Sequence, residues 1–159
     1  MKKSTNHTTL TIITLAILGV CSPAFAGRTE WDEVLDDATR ALNASNQLQT
    51  MVQQIPPEYS EYKSQLTALA NRTRIFALTV FQNAEVVYNN NDNVQSIEWI
   101  EEYAGRCKKD SRDAECIARQ FERRADYDDN DTVEELAEDI RRKADFIGDR
   151  MRSILREID

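Results

Sequence analysis

Reactive side chains are few in this 159-residue chain, and their spacing narrows the chemistry further. Cys107 and Cys116 stand nine positions apart, close enough to be read as a short-loop disulfide. Asp126-x-Asp128-x-Asn130 has the opening spacing of a calcium loop. The pattern then breaks, because its sixth position is Asp131 where glycine is needed and its twelfth is Ala137 where glutamate is needed. A turn built from Asx residues is the competing reading of that stretch. Adjacent carboxylates such as Asp36-Asp37 and Glu101-Glu102 do not converge on one point from a helix, which makes them poor acid/base pairs. The single histidine, His7, lies in a segment expected to be removed. Without it there is no Ser-His-Asp triad, no Cys-His pair and no histidine-ligated zinc or haem. Four glycines in all leave no Gly-rich phosphate loop. The residues therefore point to a protein that is not an enzyme and holds no metal or cofactor.

The start of the chain reads as an export signal over residues 1–26. Lys2 and Lys3 precede an apolar run from Leu10 to Val20, and Ala24-Phe25-Ala26 is a small-x-small cleavage site. That run is too short to span a bilayer, which takes roughly 20 residues. No stable membrane insertion is expected once it is cut. A competing cut would acylate Cys21 in a lipoprotein signal, although Val20 is a poor residue before such a cysteine. Cleavage after Ala26 leaves residues 27–159 as a single helical-bundle domain in the periplasm or outside a Gram-negative cell. It also leaves Cys107 and Cys116 as an even pair in an oxidising compartment, where a bridge would contribute ~2–3 kcal/mol. Two free thiols are the alternative. Loss of Lys2 and Lys3 moves the net charge from −8 to −10, eighteen bases against 28 acids. Such a chain repels phosphates, which makes nucleic acid and anionic lipid poor partners; the charge serves either solubility or attraction to basic proteins.

What positions these residues is helix throughout. A first helix is expected from Thr29 as N-cap to the Pro56-Pro57 stop, with Asn43, Asn46, Gln47, Gln49, Gln53 and Gln54 on its outer side. That Asn/Gln face is either solvated or a surface for self-association. Pro57 to Tyr88 predicts a long second helix with a stripe at Tyr59, Tyr62, Leu66, Leu69, Phe76, Val80 and Val87. Ile75, Leu78, Phe81 and Val86 lie off the stripe, which places this helix at the centre of the molecule. Ala70, Ala77 and Ala84 repeat every seven residues and would let a neighbour come close, while Thr73 and Asn83 are polar seam positions. The run Asn89 to Asn93 ends the helix.

Two short helices are expected next, Val94 to Ala104 closed by Gly105, and Asp113 to Arg124. The Cys107–Cys116 bridge would tie them into a hairpin carrying Arg106, Lys108, Lys109, Arg112, Arg119, Arg123 and Arg124. Thr132-Val133-Glu134-Glu135 reads as a capping box opening a last helix with a seam from Val133 to Ile158. The expected fold is all-α: an elongated bundle of three long helices with a short disulfide-tied helical hairpin inserted before the last.

Gly27-Arg28-Thr29-Glu30-Trp31, followed by the Gln/Asn-rich amphipathic helix, resembles the minor-pilus components of conjugative type IV secretion systems. The likeness covers the N-terminal segment of the mature chain, and the hairpin departs from it. It implies an exported, elongated helical bundle and a structural or adhesive role in a transfer apparatus. Trp31 and Trp99 are the candidate aromatic anchors for protein partners, and the alternative is that both indoles belong to the core. The acidic charge and the small bundle also fit a different class, a periplasmic immunity or inhibitor protein that blocks a toxin enzyme. A homo-oligomer closed through a long apolar seam is a third expectation.

Overall fold

The structure, a computed structural model, describes residues 26–90 and 93–159. It contains four helices, α1 (Ala26–Gln53), α2 (Ser60–Asn89), α3 (Val94–Tyr127) and α4 (Asp131–Ile158), with a single 3₁₀ turn at Pro57–Tyr59 ahead of α2. At ~1.5 Å per residue the helices run about 40 to 50 Å. The expected export signal, with Cys21 and the residues before Ala26, lies outside the described residues. None of the described helices is long and apolar enough to cross a membrane.

The helices form a closed ring, α1 on α2, α2 on α3, α3 on α4 and α4 back on α1. Every neighbouring pair is antiparallel. Gln49 meets Asn71 while Asn46 meets Arg74, and Asp37 meets Arg150 while Gln47 meets Lys143. As one helix advances its partner recedes, which short connections impose on bundles of this kind. All of the expected last-helix seam is found: Val133, Ile140, Ala144, Ile147, Met151 and Ile154 are buried, with Leu136 and Ile158 half-buried against them. Ala70, Ala77 and Ala84 are fully buried, as their heptad spacing requires.

Three expectations are corrected. The hairpin does not exist: Val94 to Tyr127 is one helix of 34 residues, and Cys107 and Cys116 are free thiols within it. Nine positions along a helix is about 13 Å of rise and half a turn of rotation, whereas a bridge needs Cα atoms roughly 4–7 Å apart. One thiol is accordingly buried and the other exposed. Gly105 fails to end the helix because a continuous stripe passes through it: Ile100, Ala104, Cys107, Ser111, Ala114, Ala118, Phe121 and Ala125, every one buried. Their alternating steps of four and three hold one face against the bundle, and that tertiary burial outweighs the ~1 kcal/mol cost of a mid-helix glycine. Second, α2 is one corner of the ring and not its centre. Its off-stripe Ile75 and Val86 are 56% and 41% exposed. Third, the caps sit elsewhere. The first helix already begins at Ala26, so Thr29 lies within its first turn, and the last is capped by Asn130 and not Thr132.

Among the described residues, twelve of the 29 buried apolar ones are alanines, and the interior face of α3 is built mostly of small side chains. The α4 stripe opposite supplies the large ones, Ile140, Ile147, Met151 and Ile154. Large against small at facing positions lets two helices approach closely without leaving voids. The Cβ of Ser111 lies 3.7 Å from where a side chain on Gly148 would begin, so α3 and α4 nearly touch there. Three ion pairs fix the registers between helices: Arg72 with Asp110, Arg141 with Glu122, and Arg150 with Asp37, each at 2.9 Å.

Candidate functional site

Each side chain singled out by type now has a place. Cys107 is buried on α3, its thiol 3.5 Å from the Thr73 carbonyl oxygen of α2. Burial pushes the thiol up to about 12 from its usual 9.0. A thiol in that state is neither nucleophile nor metal ligand at neutral pH. Thr73 Oγ1 is buried beside this carbonyl with no hydrogen-bond partner in the protein, and Ser111 Oγ on α3 is likewise unpartnered. The expected polar seam residue Asn83 instead satisfies itself, donating to the Thr79 carbonyl 2.8 Å away.

The acidic stretch is a helix-to-helix corner. Asp129 adopts φ 56°, the Asn130 amide bonds the Ala125 carbonyl, and the Asp129 amide bonds that of Asp126. This is a Schellman ending with aspartate in the place usually held by glycine. The Asn130 side chain then accepts from the Val133 amide and caps α4. Asp128 is drawn away to Arg124 at 2.9 Å. Two of the three side chains that spaced out a calcium loop, Asp128 and Asn130, are thus committed to pairing and capping. Among the described residues no three His, Cys, Asp or Glu side chains gather as a metal site. Tyr59, buried under this corner, has its phenol raised above the usual range by burial and by Asp128.

The seven basic residues do not make one patch. Arg106 pairs with Glu102, Arg119 with Glu115 and Arg124 with Asp128. Helical spacing puts Lys108, Lys109, Arg112, Arg119 and Arg123 on one outer arc of α3, with Arg106 and Arg124 toward α2. Beside that arc, Arg119, Arg123 and Arg141 share a cleft of about 340 Å³ with Glu122, Asp126 and Glu134. Burial and the neighbouring Asp126 raise the Glu134 carboxyl above its usual range.

The structure separates the two tryptophans. Trp31 is half-buried against the core near the start of α1, whereas Trp99 on α3 is 47% exposed. They sit near the same end of the ring on helices that are not neighbours. Trp99 keeps its candidacy as an anchor, and Trp31 is first of all a packing residue.

One concavity was not nominated by sequence. An open groove of about 680 Å³ runs between α1 and α4, lined by Asn46, Gln47, Thr50 and Met51 on one side and Asp139, Arg142, Lys143 and Phe146 on the other. Phe146, 39% exposed, and half-buried Met51 provide the apolar part. Lys143 donates across it to Gln47 at 2.7 Å, and Arg142 is held by Glu138 at 2.6 Å. The Asn/Gln face of α1 is therefore neither idle nor wholly free: Asn46 accepts from Arg74, Gln49 donates to Asn71 and Gln47 faces α4. A groove with an apolar floor and a fixed polar rim can take a helix or an extended segment of another protein. Compared with family models, curated proteins and solved structures, the chain matches none of them.

Proposed function

We propose that this protein is an exported, non-enzymatic structural or adhesive component of a cell-envelope secretion apparatus of the conjugative kind, working through contacts made by helix faces. The observation that carries the reading is the α1–α4 groove, with Phe146 and Met51 as its apolar floor and Gln47, Arg142 and Lys143 on its rim. The Thr29-Glu30-Trp31 opening and its likeness to minor-pilus components support the compartment and the machine in this reading. Exposed Trp99 gives a second contact point on α3. Affinity purification from the periplasm tests the proposal. Transfer-apparatus proteins should be recovered with the native chain and lost with Phe146→Glu, whose side chain is exposed enough for the bundle to survive the change.

The charge balance favours one second reading, an immunity or inhibitor protein against a basic toxin enzyme. Twenty-eight acids against 20 bases, with Asp126, Asp128, Asp129 and Asp131 all exposed at one corner, suit a cationic target. Recovery of a single basic hydrolase at equal stoichiometry would establish this second reading and end the first.

A further inference from the structure

The outward side of α2 is nearly free of charge in a strongly charged chain. Ile75, Thr79, Gln82 and Val86 follow one another at steps of four, three and four, a single stripe opposite the buried Ala70, Thr73, Ala77, Val80 and Ala84. Ile75 and Val86 are among the few large apolar residues left exposed. The chain is 30% charged, yet from Ile75 to Asn90 it carries one charge, Glu85, which lies off the stripe. Arg72, at the near end, is already held by Asp110 through two hydrogen bonds of 2.9 and 3.0 Å. On α3, the Tyr103 ring meets Phe76 of α2 at 5.7 Å, and Trp99 lies one turn before Tyr103 on the same flank.

We propose that this face pairs two copies of the chain, α2 against α2, antiparallel about a twofold axis between residues 80 and 81. The stripe is chemically the same read in either direction. Antiparallel pairing opposes Ile75 to the partner's Val86 and Thr79 to the partner's Gln82, apolar on apolar and hydrogen-bonding group on hydrogen-bonding group. An interface of this symmetry must complement itself residue by residue. Charge selects the occupant: two strongly acidic chains repel over most of their surfaces, and here they can meet with no like charges facing. An uncharged stripe has no attraction to offer a basic target, whereas for a second copy it removes the repulsion. The α1–α4 groove lies on the far side of the ring, so both copies keep it open. The pairing does not depend on what that groove binds.

Sedimentation equilibrium on the purified protein decides the matter. A single helix pair is at the small end of specific interfaces, so a dimer dissociating at about ten micromolar is expected. Ile75→Glu/Val86→Glu should weaken it at least about tenfold, with helical content and melting temperature retained because both side chains are exposed. Thr79→Cys/Gln82→Cys in a Cys116→Ser background should give a covalent dimer on mild oxidation. A chain that stays monomeric at hundreds of micromolar, a dimer indifferent to the two glutamates, or failure of the cysteine variant to cross-link would each overturn the pairing.

Discussion

Cys107 shows how completely one atom's surroundings can set its chemistry. Buried on α3 beside the Thr73 carbonyl, it keeps its proton in the folded chain well past the pH at which an unfolded thiol loses it. The folded state therefore binds the extra proton, and the associated stability is present below pH 9 and is lost as pH rises toward about 12. Unfolding free energy should fall by about 1.4 kcal/mol per pH unit in that window, and Cys107→Ala should flatten the slope in denaturant titrations. Maleimide should label Cys116 in the native protein and reach Cys107 only after denaturation. At the corner between α3 and α4, Asp129 holds a left-handed conformation at φ 56°. Asp129→Gly removes that strain and one acid from a crowded corner, and should raise stability by about 1 kcal/mol in thermal melts. Neither residue's situation could be read from the sequence. The cysteines were legible as a pair but not as members of one helix, and Asp126-x-Asp128-x-Asn130 announces a turn without saying which residue turns the chain.

At the scale of elements, α1, α2 and α4 were legible because each displays large apolar residues at helical steps and a clear stop. The third was misread for a physical reason. Ala104, Cys107, Ser111, Ala114, Ala118 and Ala125 are too small to stand out as a stripe in so charged a segment, although they keep the required steps of three and four. The only large fully buried side chains on α3 are Ile100 and Phe121, five turns or more apart. Small residues, ordinarily neutral in such patterns, are what α4's isoleucines demand opposite them. Gly105 then drew attention as a helix end although it merely interrupts a surface. A methyl group there would meet nothing within 4 Å, so Gly105→Ala should stabilise the protein by about 1 kcal/mol through helix propensity alone. Chemical denaturation is the direct check. The α1–α4 groove was invisible for a related reason: it arises from which helices are neighbours, which no spacing within one helix reports.

For the whole molecule, the closed ring of antiparallel helices puts the start of α1 and the end of α4 side by side. A permutant joining Asp159 to Ala26 through a short Gly/Ser linker and reopened between α2 and α3 should fold cooperatively, as followed by circular dichroism. The lost connection is the short segment between Asn89 and Val94, and permutation succeeds at short links between helices. The same arrangement governs reach. Tyr59 and Tyr62 close on Phe121 with ring centres 5.3 and 5.4 Å away, plugging the opposite mouth. Anything fastened to either tail, a bead, a dye or a larger assembly, is thus held about 40 Å from that aromatic plug by rods braced on one another. The two outer helix ends therefore share one end of the bundle, and covered aromatic rings close the other.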